Sequence, residues 1–308
     1  MPFLEYFLVI LTVACIYAIF CFGLNLQWGY TGLINIGHVA FLAVGAYTSA
    51  RLTLPAPWGL GAPFPVGLLA GMVLAGIFAY LIGIPTLRLR KDYLAIVTLG
   101  FAEILRLIIL NEMWLTNGPI GLPGIPQPLR GLIPRYDVFY FILVLSALII
   151  IYLFLERITN SPWGRVLKAI REDEDVAKAL GKDVTGYKMQ SLVLGSAIAG
   201  GAGSLLAHFF TYISPDLFDH MQTFYAWIVV VLGGSGNNKG TVLGAFLITA
   251  FLEGTRFLKD FFPIAIGPDR IAAIRLVVVG ILLIVLMMRR PEGILGEKKF
   301  VSELLEMK

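Results

Sequence analysis

Long apolar stretches recur along the chain, separated by short polar segments. An α-helix needs roughly 20 residues to cross about 30 Å of hydrocarbon. On that measure the pattern predicts helices at 6–26, 33–51, 64–84, 93–110, 138–155, 188–212, 222–233, 241–258 and 271–288. The segment 222–233 is short enough to be a half-helix, which the membrane tolerates only where broken backbone lines protein or water. The sequence therefore predicts an all-α integral membrane protein, a polytopic bundle of about 8–10 transmembrane helices.

Composition supports lipid as the solvent. Hydrophobic residues fill 58% of the 308 positions and charged residues 14%, and the mean hydropathy is +0.83. An average soluble domain carries about 25% charged residues. No long hydrophilic stretch interrupts the chain, so we predict a single transmembrane domain over residues 1–308.

Basic residues concentrate in loops and do not form the stripe typical of nucleic-acid binders, so no nucleic-acid partner is expected. Cytoplasmic loops hold the excess of Lys and Arg. The clearest groups are Arg88, Arg90 and Lys91, the loop 157–188, and the tail with Arg289, Arg290, Lys298 and Lys299. They predict a cytoplasmic C-terminus, although Arg130 and Arg135 then fall outside.

The longest cytoplasmic loop, about 156–188, contains one predicted amphipathic helix. It begins at Pro162 and ends at Gly181, and apolar residues recur along it at helical spacing. The stripe consists of Trp163, Val166, Leu167, Ile170, Val176, Ala177 and Leu180. Such a helix lies either on the membrane surface or against a partner protein. Four consecutive acidic residues at 172–175 favour the partner, because anionic lipid would repel them.

Glycines and amides interrupt the apolar sequence at 23–38. A broken membrane helix often lines a substrate path, and the candidate lining residues are Asn25, Gln27, Asn35 and His38. The alternative is a tight turn whose polar side chains bridge neighbouring helices. For His38 a bond to an adjacent helix is favoured over a proton relay.

Other polar groups offer little chemistry. Glu103 with Arg106, and Glu253 with Arg256, are spaced i, i+3 and are interpreted as structural or interfacial pairs. The glycine-rich stretch 233–241 has the order Lys-Gly-Thr and no preceding strand, so it does not predict a phosphate loop. We expect no catalytic residue, no metal site and no cofactor in this chain; if ATP drives the protein, another chain binds it.

Three separated stretches carry a family resemblance: Leu24–Asn35 through His38 to Gly45–Tyr47, Gly164–Glu174 with Ala179–Gly181 to Tyr212–Pro215, and Arg290–Gly296. They resemble the LivM-type permease subunits of bacterial branched-chain amino acid ABC importers. The resemblance implies a multi-pass permease of the bacterial plasma (inner) membrane. Its implied partners are a second homologous permease, two ATP-binding cassette subunits that hydrolyse ATP, and an extracytoplasmic substrate-binding protein.

The resemblance also implies that the cytoplasmic helix couples the permease to the ATPase. Residues 175–181 are similar to the acidic-small-small-x-x-x-Gly core of the family's coupling motif. The coupling residues would be Arg165, Ile170, Glu172, Asp175, Ala177 and Gly181. Val176 departs from the motif by replacing a small residue, and the usual apolar-proline ending is missing near 191–193.

Two alternatives stay open at this point. Related permeases carry urea and short amides, which the candidate lining residues also suit. A stand-alone ion-coupled transporter would instead use Glu103, His38 or Glu253. For the coupled importer, we expect charge on the Trp163, Leu167 and Ile170 face, or replacement of Gly181, to uncouple ATP hydrolysis from uptake.

Overall fold

The computed structural model describes residues 2–87, 91–131, 133–261, 277–278, 280–281, 284–285, 288–289 and 292–296. The predicted helix at 271–288 falls mostly outside the described residues. So do the basic residues Arg88, Arg90, Arg290, Lys298 and Lys299, and the side chain of Arg256.

Helices dominate the described chain, as predicted. The α-helices are α1 (Pro2–Leu24), α2 (Val39–Thr53), α3 (Phe64–Thr86), α4 (Lys91–Asn111), α5 (Met113–Thr116), α6 (Tyr136–Thr159), α7 (Pro162–Glu172), α8 (Glu174–Ala179), α9 (Val184–Phe210), α10 (Met221–Gly233) and α11 (Asn238–Phe261). A π-helical segment, Asn25–Tyr30, continues α1, and 3₁₀ turns lie at Gly118–Ile120 and Pro215–Phe218. Two short strands, β1 (Leu122–Pro123) and β2 (Tyr212–Ile213), pair antiparallel.

Five described helices are long and apolar enough to cross a membrane. They are Glu5–Tyr30, Phe64–Thr86, Tyr93–Asn111, Tyr136–Thr159 and Val184–Phe210. Two other predicted crossings, 33–51 and 222–233, correspond to α2 with 15 residues and α10 with 13. Both are shorter than a full crossing requires. The prediction of a full helix at 33–51 was therefore wrong, while the half-helix alternative for 222–233 agrees with the structure.

The two half-helices start from a shared point and run in opposite directions. The backbone N–H of Val39, at the start of α2, donates to Thr223 Oγ1 in the first turn of α10 at 2.9 Å. Further along α2, Ser49 bonds His208 near the end of α9. Beyond α10, the Gly236 N–H bonds Asn25 at the end of α1. Both half-helices thus present their positive N-terminal dipole ends to the interior of the bundle.

The small residues of α9 allow close packing within this chain. A Cβ on Gly45 of α2 would lie 2.0 Å from the carbonyl oxygen of Gly200, and one on Gly203 would lie 1.9 Å from that of Leu42. Helix backbones therefore touch directly, as small-residue interfaces in membranes permit. The predicted packing role of the helix at 188–212 is confirmed, and α1, α2 and α3 are its neighbours.

Candidate functional site

The site begins where α1 loses regular geometry. Its last turn, Asn25–Tyr30, is π-helical, and π turns often mark functional positions. Gly32 follows with φ +76°, and the backbone stays non-helical until α2 begins at Val39. The Ile36 N–H finds Thr98 Oγ1 of α4 at 3.2 Å. Such broken backbone is stable inside a membrane only when neighbouring groups satisfy it.

The amides of the π turn connect distant parts of the chain. Asn25 Nδ2 donates to Asn238 Oδ1 at 3.2 Å, and Asn238 Nδ2 in turn donates to Glu156 Oε2 at 3.2 Å. Gln27 Nε2 donates to the Leu192 carbonyl oxygen at 3.0 Å and to Ser196 Oγ at 3.1 Å. These bonds fasten the end of α1 to α6, α9 and α11.

The next two candidates hold the non-helical segment against α1. Asn35 Nδ2 donates to Gln27 Oε1 at 2.8 Å, and the Asn35 carbonyl oxygen accepts from Trp227 Nε1 of α10. His38 Nε2 lies 3.2 Å from the Phe20 carbonyl oxygen, and its ring stacks on Phe20 at 4.8 Å. The Oδ1 atom of Asn35 is buried without a hydrogen-bond partner in the described part of the chain.

The side chains of Asn25, Gln27, Asn35 and His38 have no exposed surface. In this conformation they bridge helices, which is the alternative that the sequence had left open. Their role in lining a path stays a prediction, because it requires the break to open.

The predicted cytoplasmic helix is two helices. The chain is extended at Asp173, whose carboxylate accepts from the N–H groups of Asp175 and Val176 and so caps the start of α8. The acidic run therefore occupies a helix N-terminus, where the helix dipole favours negative charge. Gly181 ends α8 with φ +75°, and the Lys182 N–H bonds the Ala177 carbonyl oxygen. This is a Schellman C-cap, which agrees with the helix end predicted at Gly181.

The break at Asp173 divides the apolar stripe between two surfaces. Leu167 and Ile170 are fully buried. Ile170 packs against Ala177 of α8 and against Val184 of α9. We expected charge on the Trp163, Leu167 and Ile170 face to uncouple ATP hydrolysis from uptake. That expectation is wrong at Leu167 and Ile170, because charge at these buried positions would disrupt the fold.

Of the predicted coupling set, Ala177 is buried like Ile170, and the other four members face outward. Arg165, Glu172, Asp175 and Gly181 are exposed. Two apolar residues of α8 join them, with Val176 54% and Leu180 73% exposed. Together these six residues form an exposed surface that we call the docking surface. It combines acidic groups with a small apolar pair one helical turn apart.

An ion pair holds α8 against α9. Lys188 Nζ, on a residue 5% exposed, bonds Glu174 Oε2 at 2.5 Å, and Lys178 bonds Glu174 Oε1 at 3.0 Å. Burial alone would raise the pKa of Glu174. The hydrogen bonds from Lys188 and Lys178 outweigh it and hold that pKa below its usual value.

Helix α7 contacts the broken end of α1 directly. Arg171 Nη1 donates to the Gly29 carbonyl oxygen, and a Cβ on Gly32 would lie 3.3 Å from Arg171 Cγ. The ammonium group of Lys168 lies 5.5 Å from the centre of the Tyr30 ring. Helix α7, which contributes to the docking surface, is therefore in direct contact with the broken end of α1.

Four residues of this site were not among the predicted site residues: Lys168, Arg171, Lys188 and Asn238. Only Lys188 could have been noticed from the sequence, because it is a basic residue at the start of an apolar helix. The predicted Glu103–Arg106 pair is confirmed, with Arg106 Nη2 2.6 Å from Glu103 Oε1. The Glu253–Arg256 pair lies partly outside the described residues.

Comparison with known proteins identifies the family to which this chain belongs. Residues 6–287 match the family described as the permease component of branched-chain amino acid transport systems. The chain belongs to this family. Its relatives include the high-affinity branched-chain amino acid permease LivM of Salmonella typhimurium, 35% identical over 93% of this chain and 69% of the relative. No solved structure gives a significant match.

More distant members extend the comparison. A probable LivM permease of Methanocaldococcus jannaschii is 28% identical over 95% of this chain and 94% of its own length. The LivH permease of Escherichia coli is 25% identical over 77% of this chain and 80% of its own. Family membership and the five apolar helices make this chain a multi-pass membrane permease with a transport role.

Proposed function

We propose that this chain is one permease subunit of an ATP-driven ABC importer for branched-chain or related amino acids. It would pair with a second homologous permease, two ATP-binding cassette subunits and an extracytoplasmic substrate-binding protein. Nucleotide would bind the partner subunits, and this chain would need no cofactor. The observation that carries the proposal is the contact between Arg171 and Gly29, because it joins a docking surface to a broken membrane helix.

The docking surface suits a groove on an ATPase subunit. Val176 and Leu180 supply an apolar centre, and Glu172 and Asp175 supply charge around it. Interfaces of this kind gain affinity from the buried apolar part and orientation from the polar rim. The surface carries acidic groups that a protein partner can pair and anionic lipid cannot.

Closure of the ATPases would displace α7 and α8 as a rigid pair. Arg171 and Lys168 would carry that displacement to Gly29 and Tyr30, at the end of α1. The π turn and the segment 32–38 are the elements able to change shape, since neither forms a regular α-helix. Rearrangement there would rock the half-helices between inward-open and outward-open arrangements.

The candidate lining residues fit this cycle. Asn35 Oδ1 is buried without a partner in the described part of the chain, a state that costs about 1–3 kcal/mol. A second conformation in which this oxygen meets water or substrate would remove that cost. We therefore retain Asn25, Gln27, Asn35 and His38 as groups that reach the path when the break opens.

Contacts of the C-terminal segment support the proposed orientation. The N–H groups of Ile294 and Leu295 bond the carbonyl oxygens of Leu232 and Gly233, and Gly236 bonds Asn25. This part of the tail therefore lies at the end of the bundle where α7 meets Gly29. If α7 and α8 dock onto ATPases, the C-terminus is cytoplasmic and the membrane is the bacterial inner membrane.

Copurification and reconstitution test the proposal. The tagged chain is extracted gently, its companions are identified, and the complex is placed in proteoliposomes with the binding protein encoded nearby. We expect a second permease, two ATPases and ATP-dependent uptake of leucine, isoleucine or valine. Uptake of urea or acetamide alone would replace the substrate assignment. A chain that purifies alone and transports under an ion gradient would overturn the importer.

A further inference from the structure

A charged cluster lies outside the break and has no place in the mechanism above. It consists of Glu103 and Arg106 on α4 together with Asp216, Asp219 and His220 in the segment between β2 and α10. Helix α4 packs against the Pro215–Phe218 turn, which brings the segment containing Asp216 next to the helix that contains Arg106. His220 Nδ1 is 2.7 Å from Asp219 Oδ1.

The Glu103–Arg106 pair lies near mid-membrane. The span Tyr93–Asn111 has 19 residues, and at 1.5 Å per residue Glu103 is about 15 Å from its first residue and about 12 Å from its last. The neighbouring segment is also deep, because Thr223, three residues after His220, bonds Val39 at the shared start of the half-helices.

The cluster is nevertheless open to the outside of this chain. The side chains of Glu103 and Arg106 are 45% and 29% exposed, and those of Asp219 and His220 are each 46% exposed. Lipid does not accommodate charges and irregular backbone at such depth, so they face water or protein. Elsewhere the exposed surface of α4 is mostly apolar. It includes Ile104, 59% exposed, and Ile108, 44% exposed, and is suited to contact with lipid.

The chemistry of the cluster matches a zwitterion. Arg106 uses Nε and Nη2 for Glu103, while Nη1 makes no hydrogen bond within the described part of the chain. A guanidinium has five N–H donors, so Nη1 remains able to receive a carboxylate. Asp216 and Asp219 place negative charge nearby for an ammonium group. A neutral amide would need neither a positive group for a carboxylate nor negative groups for an ammonium.

We propose that this charged face is a wall of the substrate route, where Arg106 receives the α-carboxylate of an amino acid and Asp216 and Asp219 receive its α-ammonium. The inference rests on the proposed importer function and narrows its substrate class to zwitterionic amino acids. It also places the route along the face between α4 and residues 215–220, beside the starts of both half-helices.

Cysteine labelling tests the location. The native cysteines, Cys15 and Cys21, are fully buried, so the chain is a suitable background. Glu103→Cys, His220→Cys and the control Ile108→Cys are made in the full complex, with partner subunits freed of reactive cysteines. Ile108 lies about 140° around the helix axis from Glu103 at 3.6 residues per turn. Membranes then receive a charged, impermeant thiol reagent.

We expect positions 103 and 220 to react at least tenfold faster than 108, and substrate-loaded binding protein to slow them. Absence of reaction at both positions in an assembled complex, equal reaction at all three, or insensitivity to substrate would each overturn the route. Labelling does not require uptake, so its failure is distinguishable from failure of the importer function.

A second measurement tests the ligand class. Arg106→Gln should lower leucine uptake at least tenfold while binding-protein-stimulated ATP hydrolysis persists, and Arg106→Lys should recover part of the uptake. Unchanged uptake in an assembled Arg106→Gln complex would overturn the carboxylate assignment. If Arg106→Gln fails to assemble, substrate protection of His220→Cys decides the location of the route, and the uptake of Arg106→Lys relative to wild type decides the carboxylate assignment.

Discussion

Arg171 of α7 donates a hydrogen bond from Nη1 to the backbone carbonyl oxygen of Gly29, at the broken end of the first membrane helix. The two residues are 142 positions apart in sequence. Glu172 holds the other side of the guanidinium through Oε1 at 2.9 Å. Because a backbone atom is the acceptor, a displacement of α7 in the proposed cycle would act on the main chain of the π turn itself.

Replacing Arg171 should uncouple the two halves of the cycle. A hydrogen bond to a charged group contributes about 1.5–3 kcal/mol, so Arg171→Gln should lower amino acid uptake about tenfold or more while ATP hydrolysis continues. Uptake per ATP hydrolysed in proteoliposomes measures this. Lys182→Gln removes the same charge from an exposed position of the same loop and serves as the control. Equal ratios in both variants would contradict the link.

The C-cap of α8 gives a prediction about backbone conformation. Gly181 has φ +75°, and a Cβ at this position would meet no atom within 4 Å, so only conformation opposes a side chain. Gly181→Ala should destabilise the α7–α8 unit by about 1–2 kcal/mol and weaken ATPase docking. Gly181→Asn should be milder, because asparagine tolerates the left-handed region. Pull-down of the ATPase subunit by each variant measures the difference, and equal binding would contradict the role of the cap.

The docking surface gives a prediction about partner binding. Leu180 is 73% exposed, so Leu180→Glu should leave the fold intact and reduce ATPase binding at least tenfold, which is about 1.4 kcal/mol. Leu167→Glu, at a fully buried position of α7, should instead prevent stable folding. Detergent-solubilised yield reports folding, and copurified ATPase reports docking. A folded Leu180→Glu chain with normal ATPase content would place the interface elsewhere.

Hydropathy predicted most of the membrane helices because lipid forces backbone groups to bond within apolar helices. It failed at 33–38, where Leu33, Ile34 and Ile36 are apolar but the backbone bonds Thr98 and Gln27. No local pattern distinguishes such a segment from the start of a helix. The half-length of α10, by contrast, was visible in the number of apolar residues.

The candidate site was predictable as a region and only partly by residue. The amides at 25–35 stood out because polar groups are rare in apolar sequence. Their partners, such as Ser196 and Asn238, are more than 160 residues away, and only the fold brings them together. The break at Asp173 could have been predicted, because an aspartate followed by acidic residues is a helix start signal. It was missed because the apolar residues on both sides of it are spaced as in one continuous helix.

The ion pair between α8 and α9 gives a dependence on pH. The pKa of Glu174 is lower in the folded chain than its ordinary value of 4.5. The stabilisation is therefore fully present above pH 4.5 and is lost as the pH falls through the lower, folded pKa. Glu174→Gln should make residues 173–183 more sensitive to protease at neutral pH, by about 1–3 kcal/mol, because Lys188 stays buried.

Limited proteolysis between about pH 3.5 and 7 measures this effect. The wild-type chain should become more sensitive toward the acidic end, whereas Glu174→Gln should show little further change. Glu172→Gln alters a side chain that is 73% exposed and should behave like wild type. Parallel acid sensitivity in the wild type and Glu174→Gln would assign the effect to other carboxylates.

The close contact between Gly45 and Gly200 predicts that an alanine at Gly45 lowers stability. An alanine at Gly100, which is outside this contact, should have the opposite effect. Gly45→Ala would place a Cβ 2.0 Å from the carbonyl oxygen of Gly200, a backbone atom that cannot rotate away. Forcing α2 and α9 apart should cost about 1–3 kcal/mol or more. Gly100→Ala, in the interior of α4, meets no atom within 4 Å and should stabilise its helix by about 0.5–1 kcal/mol. Thermal melting in detergent should therefore fall for the first variant and not for the second. Equal melting temperatures would mean that α2 and α9 are farther apart than their glycines imply.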